Sequence, residues 1–156
     1  MTVDVLTEVV IDAPPEVVSG YAADPGNAPE WYRDIDSVTW ESPPPLSVGS
    51  RLGFVASFLG RELVYTYEVT DWVPGSRLVM RTAQGPFPME TTYTWESTGT
   101  GGTRMTLRNR GEPSGFARVA APALAASVRR ANRADLDRLR SVVERRGGET
   151  GSAGQE

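Results

Sequence analysis

The order of elements constrains this chain more than any single motif: a strand that breaks directly into a helix, six further β-like runs, and then one long helix. A lone terminal helix must bury its apolar stripe, and the only large surface available to it is the sheet. The expectation is therefore an α+β domain whose antiparallel sheet curls round the helix. A curled sheet gripping a helix tends to leave a hollow between the two.

The opening Val9-Val10-Ile11-Asp12-Ala13-Pro14-Pro15-Glu16-Val17-Val18 reads as a β-branched strand running into a helix. Asp12 is placed to cap that helix, Pro14 or Pro15 suits its first turn, and Glu16 favours its positive end. The first strand, Thr2 to Ile11, puts Val3, Val5 and either Leu6 or Thr7 on one side with Val9 and Ile11. A short helix follows over about 14–23. Asp24-Pro25-Gly26-Asn27 breaks it, and Pro29-Glu30-Trp31-Tyr32 reads as a second helical turn.

Six strands are predicted after that: Ile35 to Glu41, Arg51 to Leu59, Glu62 to Trp72, Arg77 to Ala83, Met89 to Glu96 and Thr103 to Arg110. Each break carries glycine or proline, and each run is rich in Val, Thr, Tyr, Phe or Trp. Alternation assigns the faces. Leu63, Tyr65, Tyr67 and Val69 point inward against the solvated Glu62 and Glu68. Leu78 and Met80, then Thr91, Tyr93 and Trp95, then Met105 and Leu107 share that inner face. The phase of 51–59 stays open.

The last segment, about Ser114 to Arg146, has Ser114 as its expected cap. Its apolar stripe runs Phe116, Ala120, Leu124, Val128, Ala131 or Asp135, Leu136, Leu139 and Val143. Pro122 should kink this helix or split off its first two turns. Residues 1–146 then form one domain, large enough to bury about two thirds of its unfolded surface, and the polar, glycine-rich 147–156 is expected to be a disordered tail.

Composition narrows the chemistry. Histidine, cysteine and lysine are all absent, and all 16 basic residues are arginine. That excludes imidazole or thiolate metal sites, Ser-His-Asp and Cys-His nucleophiles, and lysine Schiff bases. No metal and no cofactor is expected. The net charge of −4 hides an arginine-rich stretch from Arg129 to Arg146. Asp135 and Asp137 interrupt it and no aromatics interleave it, so it reads as a solvated helix face and no nucleic-acid partner is expected. No apolar run reaches the roughly 20 residues a membrane span needs. The opening Met1-Thr2-Val3-Asp4 lacks the basic and apolar regions of a signal peptide, and a cytoplasmic protein is expected.

Candidate site residues follow from the inner face. Tyr65, Tyr67, Tyr93 and Trp95 carry polar atoms that a dry core would leave unpaired at about 1–3 kcal/mol each. A partly wet cavity satisfies them better. Met80 belongs to the same lining, Phe54 and Phe58 extend its wall, and Phe116, Leu124 and Val128 would close it from the terminal segment. Asn109 either offers its amide to a ligand carbonyl or satisfies a strand end. Phe87, between Pro86 and Pro88, is either a stiff lid or a loop residue folded onto the rim. Among the carboxylates, Asp135 lies near the helix's inner stripe. A surface ion pair with neighbouring arginines is the favoured reading, and a cavity-facing acid or base the other. Gly99-Thr100-Gly101-Gly102 lacks a lysine and a following helix and is a hairpin turn, with no phosphate loop.

Several stretches together resemble the START/Bet v1-like helix-grip superfamily, in its bacterial polyketide cyclase/dehydrase-like branch. They are Ile11 to Val18, Asp24-Pro25 with Pro29-Glu30-Trp31, Val48-Gly49-Ser50-Arg51, Tyr67 to Trp72 leading into Pro74 and Arg77-Leu78-Val79, Tyr93 to Glu96, Gly102 to Leu107, and Asn132 to Leu139. The resemblance covers about residues 3 to 145 and rests on the order and spacing of these pieces. It implies a helix-grip fold, a seven-stranded antiparallel sheet around the C-terminal helix with two short helices after strand 1. Members of the superfamily bind lipids, sterols, hormones, quinones and polyketides in the cavity, and only some are enzymes.

The leading expectation is a carrier or sensor of a hydrophobic, lipid-, aromatic- or polyketide-like ligand, as a monomer or weak homodimer. The alternative is a cofactor-free polyketide cyclase/dehydratase using a cavity tyrosine or carboxylate, though no catalytic signature is present. A third reading is an interaction domain that meets a protein partner across the open sheet face.

Overall fold

The computed structural model describes residues 2–113, 116 and 119–153, with side chains up to residue 147. Strand β1 (Val3–Ile11) leads into α1 (Pro15–Ala22), a single 3-10 turn (Pro25–Asn27) and α2 (Ala28–Trp31). Six strands follow: β2 (Ile35–Trp40), β3 (Arg51–Phe58), β4 (Arg61–Val73), β5 (Arg77–Gln84), β6 (Met89–Ser97) and β7 (Thr103–Gly111). Helix α3 (Ala121–Ala153) comes last.

All seven strands form one antiparallel sheet in the order β1-β7-β6-β5-β4-β3-β2. The helices carry the chain from one edge to the other, and the meander returns to pair β7 with β1. Bulges between Ile35 and Ser37, Thr66 and Tyr67, and Val69 and Asp71 add twist and bend the sheet. The concave face receives α3.

The strand-to-helix opening is built differently from the sequence expectation. Pro14 is the N-cap, with extended backbone, and it has no side chain able to accept a hydrogen bond. Asp12, two residues earlier, is too far back to cap α1. Its backbone N–H instead donates to Glu144 Oε1 at 3.0 Å, tying the turn to α3. Pro15 and Glu16 do occupy the first turn. Asp24 caps the next turn, accepting from the Gly26 amide at 3.0 Å.

Helix α3 starts at Ala121, later than expected. Pro122 falls in its first turn, where a missing N–H costs nothing, and the Leu124 amide already donates to the Ala120 carbonyl at 2.9 Å. Phe116 sits in a separate turn, bonded through its backbone to Pro113 and Val119. Ser114 lies outside the described residues. The expected tail, 147–156, overlaps the last turns of α3, and 154–156 lie outside the described residues.

The larger core cluster gathers Ile11, Trp31, Leu52, Leu78, Met105 and Leu107 with Leu136, Leu139 and Val143 of α3. Each such side chain contributes about 1.5–3 kcal/mol on burial. A smaller cluster at the other end joins Val3 and Val5 to Phe87, Phe116 and Leu124. Helix α3 packs closest on β1, α1 and α2 and stands off the central strands β3 to β6. That offset opens a hollow between the two clusters.

Candidate functional site

The hollow is a cavity of about 190 Å³, an order of magnitude above the roughly 10–15 Å³ that one water requires. Strand pairing settles the phase of β3. Phe54 sits opposite Tyr65 and Leu52 opposite Tyr67, so Leu52, Phe54 and Ala56 share the inner face. Phe54 stacks on Tyr65 with centroids 5.3 Å apart, and Tyr67 meets Phe54 edge-on at the same separation. Phe58, at the end of β3, packs edge-on against Phe116 at 5.9 Å.

Phe87 is 8% exposed and also lies edge-on to Phe116. The loop therefore folds its aromatic onto the rim, the second of its two readings. These three rings, with Leu63, Met89, Leu124 and Val128, make one end of the cavity almost wholly apolar.

The other end is polar. Tyr32, just after α2, reaches Tyr93 across the cavity, hydroxyl to hydroxyl at 2.6 Å. The Thr91 hydroxyl donates to Asn109 Oδ1 at 2.7 Å, so the Tyr67 hydroxyl must be the donor in its 2.8 Å bond to Thr91 Oγ1. Among the described residues, nothing accepts from Asn109 Nδ2 or bonds the Tyr65 hydroxyl. Burial raises all four of these tyrosines, Tyr67 to about 12 and Tyr32, Tyr65 and Tyr93 further. They remain neutral hydroxyls at any physiological pH.

For Asp135 the ion pair of its favoured reading holds, and the surface location does not. It is 3% exposed and lines the cavity, although Arg138 does lie 3.3 Å from its Oδ1. The Arg33 amide donates to the same oxygen at 3.1 Å. Arg138 meanwhile donates to the Trp31 carbonyl at 2.8 Å, so the pair staples the end of α2 to α3. Burial pushes the Asp135 carboxyl up to about 6, against the opposing pull of the Arg33 amide and Arg138, with Asp34 adding to the rise.

The sign for stability follows. Folded Asp135 holds its proton up to a higher pH than the unfolded residue does. Its ionisation therefore costs stability as pH rises from about 4 through 6. Asp135→Asn keeps an acceptor for the Arg33 amide and removes the buried charge. It is expected to stabilise the fold by about 1–2 kcal/mol near pH 7.5, discounted for partial solvation of the cavity. The gain should vanish below about pH 4. Urea denaturation of both proteins across that range checks this, and an equal gain at both extremes would defeat it.

Eleven of the twelve residues expected at the site from the sequence line this cavity: Phe54, Phe58, Tyr65, Tyr67, Met80, Phe87, Tyr93, Asn109, Phe116, Leu124 and Val128. Trp95 does not. It is on the correct face but one inward position further along β6, packed edge-on against Tyr93 at 6.0 Å and Trp72 at 6.4 Å. Alternation assigns a face and says nothing about depth along the strand. The sequence reading missed Tyr32 and Asn132. Asn132 lies four residues from Val128 and three from Asp135, and that spacing on the inner stripe was the available signal. It is 5% exposed, and its Nδ2 is buried without a partner.

Among the described residues no group of three or more carboxylates is placed to hold a metal ion, and no helix is long and apolar enough to cross a membrane.

The family described as polyketide cyclase / dehydrase and lipid transport matches residues 2–144. No curated protein matches the sequence. Among solved structures, TTHA0849 from Thermus thermophilus is similar at 23% identity and a TM-score of 0.74, covering 90% of this chain and 96% of that one. A START superfamily protein from Mycobacterium smegmatis is similar at 18% identity and TM-score 0.77, covering 91% and 97%. The ZhuI aromatase/cyclase from Streptomyces sp. R1128 is similar at 18% identity and TM-score 0.74, covering 94% and 96%. At these identities the likeness concerns the fold alone.

Proposed function

The chain belongs to the polyketide cyclase/dehydrase and lipid transport family, and on that premise we propose that it binds a hydrophobic small molecule between sheet and C-terminal helix, as a carrier or sensor. The observation that carries this reading is the cavity itself, with aromatic and aliphatic walls at one end and a few convergent polar groups at the other. Phe58, Phe87, Phe116, Leu124 and Val128 would take the apolar body of the ligand. Affinity there would scale with apolar area removed from water, at about 25 cal/mol per Å² before the costs of association. The Tyr65 hydroxyl and the Asn109 amide would set orientation.

One observation favours the second reading, a cofactor-free cyclase or dehydratase. Asp135 faces the cavity with its carboxyl pushed up to about 6, the range in which a carboxylate exchanges protons near neutral pH. The tyrosines are too strongly held in the neutral form to act as bases, so this reading depends on Asp135.

Titration with the neutral fluorophore N-phenyl-1-naphthylamine tests the binding reading. A saturable rise in fluorescence with a stoichiometry near one is expected. A linear, unsaturable response would rule out the cavity as a ligand site.

A further inference from the structure

We infer that the polar end of the cavity is built for an uncharged head group pairing a carbonyl acceptor with a hydroxyl donor, and that Asp135 keeps carboxylate ligands out of the same position. The inference rests on the proposal that the cavity is a ligand site, and it specifies which chemistry that site selects. Asn132 and Asp135 stand one helical turn apart on the inner face of α3, and both line the hollow.

Their polar atoms are incompletely used. Among the described residues nothing bonds either end of the Asn132 amide, and its Nδ2 is fully buried. A buried amide donor with no acceptor is costly to keep, and a ligand carbonyl oxygen would relieve it. Asn109, on the facing wall, has its Oδ1 held by Thr91 and its Nδ2 without a described partner. It offers a second donor.

The matching acceptor is Asp135. Its Oδ1 already takes the Arg33 amide and Arg138, and no described residue engages Oδ2. A ligand hydroxyl can donate to it; a ligand carboxylate would meet its charge at close range. Among the described residues, no cation lining the cavity is left over to pair with a ligand carboxylate. Arg110, the cationic residue of the lining, alternates to the outer face of β7 and pairs with Glu90 at 3.1 Å. Arg138 is engaged by the Trp31 carbonyl and by Asp135 itself. The other ionisable groups around Asp135 are Asp34, whose charge adds to the repulsion, and Tyr32 and Tyr93, which are neutral.

Three probes on one naphthalene skeleton separate the possibilities: 4-hydroxy-2-acetonaphthone, which carries both polar groups on one ring, 2-acetonaphthone and 2-naphthoate, each measured by displacement of N-phenyl-1-naphthylamine at pH 7. The hydroxy-ketone should bind about tenfold more tightly than the ketone, and more tightly still than the naphthoate. Lowering the pH to 5, where Asp135 gains its proton, should strengthen naphthoate binding about tenfold and leave the ketone unchanged. Asp135→Asn should remove that pH response. Asn132→Leu should weaken both ketones about tenfold relative to the fluorophore, and its Tm should be at or above the parent's because the orphaned donor is gone.

Equal affinity for naphthoate and hydroxy-ketone at pH 7 overturns the inference without needing any variant. So does a loss in Asn132→Leu that extends equally to the fluorophore. If the fluorophore itself shows no saturable uptake, the cavity reading falls and this inference falls with it. Uptake without discrimination overturns this inference alone.

Discussion

Trp31→Ala is expected to destabilise the protein by about 3–5 kcal/mol, the range for removing a large buried aromatic. Trp31 is 0% exposed and sits in the four-residue helix α2. A helix this short cannot persist on backbone hydrogen bonds alone, so α2 is held by what it buries. The indole packs on Tyr32 at 3.9 Å and edge-on to Tyr93 at 5.8 Å. Alanine would leave a void beneath the Tyr32–Tyr93 contact, and that end of the cavity should loosen along with the fold.

Trp31→Phe provides the control. The Trp31 Nε1 is buried with no partner, so phenylalanine removes an orphan donor worth about 1–3 kcal/mol while vacating less space. Its net cost should be no more than about half that of alanine. Urea denaturation read by near-UV circular dichroism would measure both. A loss under about 1 kcal/mol for alanine would show that α2 is held by something other than its tryptophan.

Ala131→Trp is expected to weaken binding of N-phenyl-1-naphthylamine by at least about 100-fold, or roughly 2.7 kcal/mol. Ala131 lies on the cavity side of α3, between Val128 and Asp135 in sequence, and lines the hollow directly. An indole there occupies space that is already open, so overpacking strain should be small and stability should change by less than about 1 kcal/mol. Separating the two readouts is the point of this variant: affinity collapses while the fold persists. A folded variant that binds like the parent would place the fluorophore somewhere else.

The strands were legible because a half-buried sheet imposes period-two alternation, and β4 to β7 begin and end within a residue or two of where Tyr67, Met80, Tyr93 and Leu107 placed them. Strand β3 was ambiguous for a physical reason. Its segment 52–58 carries apolar or small residues in both phases, and only pairing of Phe54 with Tyr65 and Leu52 with Tyr67 selects one. The terminal helix was readable from its stripe, yet its start was not, because the pattern continues through Phe116 and Ala120 while Pro122 lets the helix begin only at Ala121. Asp12 looked like a cap because spacing was counted from the strand end. The chain instead takes Pro14 as the cap and uses the Asp12 amide to reach Glu144.

The candidate site divides along the same line. Its aromatic members were identifiable from face alone. Asp135 misled because arginines on its own helix, at Arg130, Arg133 and Arg138, suggested a surface cluster. The neighbours that bury it, Arg33, Asp34 and Tyr32, come from about 100 residues away in sequence.

The sequence by itself determined which residues turn toward the interior and in what order the strands and helix follow, since both are set by backbone periodicity over a few neighbouring residues. Tertiary structure decided which of those inward residues are left facing open space. That depends on how far α3 stands from β3 to β6, a distance set by its packing on β1, α1 and α2. Local alternation carries no information about such a separation, so Trp95 reads as a wall residue and is core, and Asp135 reads as surface and is wall.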